Sequence, residues 1–210
     1  MSVQKGVLFD LDGVIIDTES MYSVFWNEIE AAYPTGIADF STKIKGSNLS
    51  SILNTYFDSN VHADIVKRLD DFQHNMKYVY FAGAKEFIEE LKRREIPTCL
   101  VTSSDKKKMQ TLYAQHPEFR GLFNAIITGE MVSKAKPDPE GYLRGAKQIG
   151  CDITDCYVFE DSMNGVKAGH NSGAKVIGVA TTLSADEIKP FCDCLINGLG
   201  EFSIDKMLNL

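Results

Sequence analysis

The chain has 210 residues, of which 44% are hydrophobic and 24% are charged, as is usual for a globular protein. Its net charge of -7 argues against a broad nucleic-acid-binding surface, which needs a basic face. No apolar run approaches the roughly 18 residues of a membrane span, and the first residues lack the apolar core of a signal peptide. The five cysteines are odd in number and lie mostly in apolar runs, which favours reduced thiols. We therefore expect a cytoplasmic monomer without nucleic-acid or membrane partners.

Two carboxylates follow the first predicted strand, which covers Val7–Phe9. Asp10 and Asp12 are two residues apart, and Gly13 comes directly after them. Ligands of open α/β sheets bind at the carboxyl ends of the strands, so two crowded acids there suggest a divalent cation beside a nucleophilic carboxylate. The alternative is a simple Asp-Gly turn, since both residues favour turns. The motif alone does not decide between the two interpretations.

A purely helical stretch follows this motif. Three helices are predicted in it, over Asp17–Ala32, Thr42–Phe57 and Val61–Lys77. An insert of about 65 residues is too long for a connection between strands. The sequence therefore predicts a small helical domain over residues 14–80, with the remaining core formed by residues 1–13 and 81–210.

The rest of the chain alternates strands and helices, which indicates βαβ units and a parallel sheet. In the helix predicted over Glu140–Ile149, we expect Tyr142, Leu143, Ala146 and Ile149 on one face. The other predicted elements are strands at Pro97–Val101, Ala125–Thr128, Cys156–Phe159, Lys175–Val179 and Cys194–Ile196, and helices at Ala84–Arg94 and Lys106–Gln115. The fold class is therefore α/β, with a doubly wound parallel-sheet (Rossmann-like) core and the helical domain inserted after the first strand.

Hydroxyl groups follow the second predicted strand. Thr102, Ser103 and Ser104 precede Asp105 and the start of a helix. Hydroxyls and free backbone N–H groups at a helix N-terminus can bind an anion. The alternative is that Ser104 or Asp105 only caps that helix, and this motif taken alone favours the capping role.

A lysine and two acids follow the third and fourth strands. Pro137 keeps Lys136 out of a helix and extended, so that it can pair with a phosphate oxygen; the alternative is a solvated loop lysine. Glu160 and Asp161 come directly after an apolar strand and suit a hard cation such as Mg²⁺. Asp161 or Ser162 also suits the cap of the next helix, and the two roles are compatible.

These four motifs together resemble those of the haloacid dehalogenase-like (HAD) hydrolase superfamily. The matching residues are Asp10-x-Asp12-Gly13, Thr102-Ser103, Lys136-Pro137-x-Pro139 and Glu160-Asp161-Ser162-x-x-Gly165. The resemblance spans Val7 to about Val179 and is closest to the β-phosphoglucomutase-like and sugar-phosphate phosphatase branch. It implies that the helical insert is the cap domain of that branch.

The resemblance also implies a role for each motif. Asp10 is the nucleophile that forms an aspartyl-phosphate, and Asp12 is the general acid/base. Mg²⁺ would be held by the Asp10 carboxylate, the Asp12 carbonyl and Asp161, with Glu160 close by or acting through water. Thr102, the Ser103 N–H and Lys136 would hold the phosphate. Further candidates for contact with the substrate are Ser104 in the core and Tyr22, Lys45, Asn48, His74 and Lys77 in the cap.

Three positions differ from the mutase pattern. Tyr22 replaces a histidine that couples cap closure to the acid/base, Leu49 replaces an arginine that grips a second phosphate, and Asp105 replaces a lysine. A mutase needs that second phosphate site, so we expect a Mg²⁺-dependent phosphatase acting on small phosphorylated metabolites, most simply sugar phosphates. A mutase remains an alternative, as does a non-catalytic binding protein on the same fold. A dehalogenase does not use the magnesium site that the acids form.

Overall fold

A computed structural model describes residues 4–44 and 49–210. It divides into two compact units, residues 1–17 with 78–210 and residues 18–77. The sequence placed the corresponding boundaries at 13/14 and 80/81. Within the described residues, no helix is long and apolar enough to cross a membrane.

The larger unit is built on a parallel sheet of six strands with the order β3-β2-β1-β4-β5-β6 in its described part. The strands are β1 Gly6–Phe9, β2 Thr98–Val101, β3 Ala125–Ile127, β4 Cys156–Glu160, β5 Lys175–Val179 and β6 Cys194–Ile196. The chain runs outward to one side through β2 and β3 and to the other through β4 to β6. This order puts the switch point between β1 and β4, where open sheets bind their ligands.

Helices connect the strands of this unit, and one follows the last strand. They are α5 Ala84–Arg93, α6 Lys106–Gln115, α7 Glu140–Gln148, α8 Met163–Ser172, α9 Ala185–Ile188 and α10 Ile204–Leu208. The remaining helices of the described residues belong to the smaller unit. The predicted α/β class with a doubly wound parallel sheet is confirmed, and every predicted strand is present to within one residue at either end.

Both faces of the sheet are covered, because successive residues of its central strands point to opposite sides. Leu8 and Val158 lie in one apolar cluster with Tyr142 and Ala146 of α7. Phe9 stacks on Phe159 at 4.9 Å on the other side, where Phe87 of α5 meets both rings edge-on. The strands that carry the site are thus fixed from both faces.

One predicted helix face is wrong in part. Tyr142 and Ala146 are buried as expected, but the side chain of Leu143 is 42% exposed. The buried stripe of α7 is completed by Gly141 and Gly145, which pack against Val101. Two glycines therefore lie on the buried face of α7, and Leu143 lies outside it.

The smaller unit consists of α1 Glu19–Ala32, α2 Phe40–Lys43, α3 Leu49–Tyr56 and α4 His62–Asn75. Its own core contains Phe25, Trp26, Ile29, Phe40, Ile44, Ile52, Leu53, Ile65 and Leu69. The single helix predicted over Thr42–Phe57 is wrong: α2 ends at Lys43, and α3 begins at Leu49. Ile44 is the C-terminal cap of α2, and residues 45–48 lie outside the described residues.

The two segments through which the chain leaves and re-enters the larger unit are hydrogen-bonded to each other. The Asp17 N–H donates to the Val79 carbonyl at 2.9 Å, and the Phe81 N–H donates to the Ile15 carbonyl at 2.9 Å. Ile16 also forms an antiparallel bridge with Tyr80. The excursion into residues 18–77 therefore starts and ends at neighbouring positions.

Candidate active site

The candidate residues of the larger unit lie where three neighbouring strands end. Asp10 follows β1, Thr102 follows β2, and Glu160 ends β4 with Asp161 directly after it. Because β2, β1 and β4 are adjacent in the sheet, these side chains come from one edge. Lys136 reaches the same edge from the segment between β3 and α7.

Lys136 joins the nucleophile candidate to the fourth motif. Its Nζ donates to Asp10 Oδ1 at 2.5 Å, to Glu160 Oε1 at 2.6 Å and to the Val101 carbonyl at 3.1 Å. Burial acts to lower the pKa of this ammonium, but the charges of Asp10 and Glu160 outweigh it and hold the pKa well above its usual value. The alternative of a solvated loop lysine is therefore wrong.

Glu160 is fully buried, and both of its carboxylate oxygens are occupied. Oε1 accepts from Lys136 and from the Tyr142 hydroxyl at 2.8 Å. Oε2 accepts from the Asp161 N–H at 3.0 Å, the Ser162 N–H at 3.2 Å and the Ser162 hydroxyl at 3.0 Å. Gly165 of α8 lies so close that a Cβ there would overlap this carboxylate. Glu160 thus holds Lys136 in place, whatever part it also takes in binding a cation.

Three buried acids form a cluster that suits a hard cation. Asp10, Glu160 and Asp161 each offer an oxygen within 4.8 Å of the others. Burial, partly offset by Lys136 and reinforced by the charges of Glu160 and Asp12, raises the pKa of Asp10 to about 7. Burial and the charges of Glu160 and Asp10 likewise raise the pKa of Asp161 well above its usual value. Within the described cluster Lys136 alone opposes three carboxylates, so a divalent cation fits the donor set and would relieve the repulsion.

Asp12 is held by two groups from the loop after β2 and the helix that follows. The Ser104 hydroxyl donates to its Oδ2 at 3.0 Å, and Lys108 Nζ lies 2.7 Å from each carboxylate oxygen. Ser104 therefore acts on Asp12, a contact more specific than the predicted one with substrate. The sequence reasoning missed Lys108 altogether, although it stands in the first turn of α6, where long side chains lean back toward the helix N-terminus.

The loop after β2 is preorganised by its own hydrogen bonds. Thr102 is buried, and its hydroxyl accepts from the Ser104 N–H at 3.0 Å, while Ser103 is exposed. Asp105 caps α6 by accepting from the Lys108 N–H at 2.8 Å. Ser162 caps α8 in the same way, accepting from the Gly165 N–H at 3.1 Å. Both capping predictions are confirmed, and they coexist with the proximity of these loops to the acid cluster.

Three of the candidate substrate contacts in the helical unit lie within the described residues. The Tyr22 hydroxyl accepts from Gln73 Nε2 at 3.0 Å, and its ring packs against Phe72. His74 and Lys77 are exposed. Lys45 and Asn48 lie outside the described residues, so their predicted contact with substrate stays a prediction.

Comparison with known proteins identifies the family of this chain. The model of the haloacid dehalogenase-like hydrolases matches residues 7–179, so the chain belongs to this family. Within it, the chain falls in the sugar-phosphate phosphatase branch, and it is a phosphatase-type hydrolase.

Three curated relatives and two solved structures illustrate the assignment. A probable pseudouridine-5'-phosphatase of Saccharomyces cerevisiae is 29% identical over 97% of this chain and 94% of its own length. Hexitol phosphatase A of Escherichia coli is 26% identical over 98% and 96%. The bifunctional riboflavin kinase/FMN phosphatase of Arabidopsis thaliana is 28% identical over 95% of this chain, which spans only 55% of that protein.

Among solved structures, a family IA, variant 3 HAD hydrolase of Entamoeba histolytica has a TM-score of 0.81 at 25% identity and covers 98% of both chains. A putative β-phosphoglucomutase of Thermotoga maritima has a TM-score of 0.78 at 24% identity, over 98% of this chain and 97% of its own. The latter likeness concerns the fold.

Proposed function

We propose that the protein is a Mg²⁺-dependent phosphatase of small phosphorylated metabolites that works through an aspartyl-phosphate on Asp10. The observation that carries the proposal is the pair of differently held aspartates: Asp10 fixed by Lys136 inside the acid cluster, and Asp12 fixed by Ser104 and Lys108 outside it. If one aspartate is to act as nucleophile and the other to transfer a proton, the two identical side chains must have different environments.

In the first step, a carboxylate oxygen of Asp10 attacks phosphorus while the bond between phosphorus and the alcohol oxygen breaks. Asp12 supplies the proton that the leaving alcohol needs. In the second step, Asp12 takes a proton from a water molecule, whose oxygen attacks phosphorus and releases Asp10 and inorganic phosphate. Lys136, Thr102 and the Ser103 N–H are the groups that we assign to the phosphate oxygens, because catalysis of phosphoryl transfer is mainly positioning and charge stabilisation.

The metal would be held by Asp10, Asp161 and the Asp12 backbone carbonyl, with Glu160 next to them. A bound Mg²⁺ would shield the charge of the nucleophile and of the phosphate from each other. Glu160 is assigned mainly to Lys136, since five hydrogen bonds already occupy its two oxygens.

Three features support a phosphatase over a mutase. Leu49 packs against the apolar core of the helical unit, so it offers nothing to a second phosphate. Tyr22 is engaged with Gln73 inside the same unit. Asp105 is exposed at the start of α6 and carries a negative charge where a second phosphate would need a positive one.

The relatives support a small organic monophosphate as substrate, since their names specify pseudouridine 5'-phosphate and hexitol phosphates as what those proteins hydrolyse. We assign the helical unit, residues 18–77, the role of a cap that selects the substrate. Tyr22, Lys45, Asn48, His74 and Lys77 stay candidate substrate contacts within it.

Release of inorganic phosphate from a panel of phosphorylated metabolites and from p-nitrophenyl phosphate, with Mg²⁺ or with EDTA, tests the proposal. Turnover that needs Mg²⁺ and disappears in Asp10→Asn is expected, whereas Asp186→Asn, an exposed aspartate of the same unit, should behave as wild type. Acid-quenched protein should carry phosphate on Asp10. A folded, Mg²⁺-binding protein without turnover would favour the binding-protein alternative. Conversion of β-glucose 1-phosphate to glucose 6-phosphate without phosphate release would favour the mutase.

A further inference from the structure

Two neighbouring threonines follow β5, and their hydroxyl groups differ in hydrogen bonding. Thr181 Oγ1 donates to the Gly13 carbonyl in a short hydrogen bond. Thr182 Oγ1 is buried and has no hydrogen-bond partner within the described residues. A buried hydroxyl without a partner is destabilising, so its persistence calls for a physical reason.

Thr182 stands next to a metal-ligand candidate. Gly13 has a φ of 78°, and a Cβ placed on it would overlap Asp161 Oδ2 and lie 2.8 Å from Thr182 Oγ1. The two oxygens therefore flank the same small space above Gly13. The Thr182 hydroxyl thus lies beside the Asp161 carboxylate, yet it makes no hydrogen bond with it.

We propose that Thr182 is a positioning residue for the divalent cation: when the cation is bound, its hydroxyl donates to the Asp161 carboxylate and fixes the orientation of that ligand. This inference rests on the metal site of the proposed function. Ligating carboxylates are usually hydrogen-bonded by groups outside the metal's own shell, and these groups set the affinity.

The competing explanation is that Thr182 only fills space in the loop after β5. The two explanations differ in what Thr182→Val does, because valine keeps the shape and removes the hydroxyl. If the threonine only fills space, valine changes the melting temperature equally with and without metal. If it positions Asp161, valine leaves the metal-free protein as stable as wild type or more so, and it weakens only the metal-bound form.

The experiment measures Mn²⁺ affinity by electron paramagnetic resonance titration and Mg²⁺ affinity by competition, both without substrate. Melting temperatures are recorded in EDTA and in saturating Mg²⁺. We expect Thr182→Val to weaken metal binding about tenfold, the lower end of such losses, and Thr182→Ser to restore it. The gain in melting temperature on adding Mg²⁺ should shrink in the valine variant alone.

An affinity for Mn²⁺ within twofold of wild type in Thr182→Val would overturn the inference while leaving the proposed function standing. So would an equal change of melting temperature with and without metal. A wild-type protein that binds neither cation would overturn the metal site itself. If Thr182→Val does not fold, Thr182→Ala gives the same comparison, with Thr182→Ser again as the variant that retains the hydroxyl.

Discussion

Replacing Glu160 with glutamine should destabilise the core unit strongly, although the two side chains have nearly the same shape. Lys136 and Tyr142 donate to one carboxylate oxygen, and three further donors meet the other. An amide keeps a single acceptor oxygen. In either orientation, its NH₂ group faces donors, and at least two hydrogen bonds are lost.

The magnitude follows from those lost hydrogen bonds. Each hydrogen bond to a charged group contributes about 1.5–3 kcal/mol, so the loss of two costs about 3–6 kcal/mol. The charge of Glu160 repels the neighbouring acids and thereby raises the pKa of Asp10. Removing this charge relieves part of the repulsion and offsets part of the loss. We expect a net loss of about 3 kcal/mol in the free energy of unfolding, in line with other buried ion pairs from which one partner is removed.

The assay is urea unfolding in EDTA at neutral pH, followed by far-UV circular dichroism. Trp26, the one tryptophan of the chain, reports the helical unit separately, and its transition should shift less. Tyr142→Phe is the matched control, because it removes one hydrogen bond from the same oxygen and should cost about 1.5 kcal/mol. A loss under about 1 kcal/mol in Glu160→Gln, or one smaller than that of Tyr142→Phe, would refute the reasoning.

Three further predictions concern the same edge of the sheet. Lys108→Met should lower kcat about tenfold with little change in KM, because Asp12, the acid/base candidate, loses the ammonium group that fixes it. Lys106→Met, at an exposed position of the same helix, should leave kcat unchanged. Equal effects of the two substitutions would contradict this prediction. Gly165→Ala should cost more than about 2 kcal/mol, since a Cβ would meet a buried carboxylate, while Gly121→Ala, with open space around it, should be near neutral in the same urea assay. Burial raises the pKa of Asp10 from 3.8 to about 7 in the folded protein, so between these values the folded state binds a proton that the unfolded state has lost, and stability in EDTA should fall from about pH 4 to about pH 7. Asp10→Asn should flatten that dependence, and a wild-type curve without a slope would count against the burial argument.

Much of the site followed from the sequence because it rests on local rules. The ends of three strands fix where Asp10, Thr102 and Asp161 stand, and the parallel sheet brings these ends together. Lys108 was missed because its role depends on which way α6 points after the loop, which no local pattern encodes. Leu143 was misplaced because small residues of α7, not large ones, face β2. In each failure the outcome depended on packing between elements distant in sequence.

The paired segments at Ile15–Asp17 and Val79–Phe81 make the helical unit a self-contained insertion. Because the chain leaves and re-enters the larger unit at neighbouring positions, a short turn could join these two positions directly. The sheet therefore puts little constraint on the length of the segment inserted between them. With residues 18–77 as the cap that we propose, substrate range and catalytic chemistry can therefore change independently in evolution. Under the roles that we propose, exchanging residues 18–77 between relatives would change the specificity and leave the acids at the strand ends unaltered.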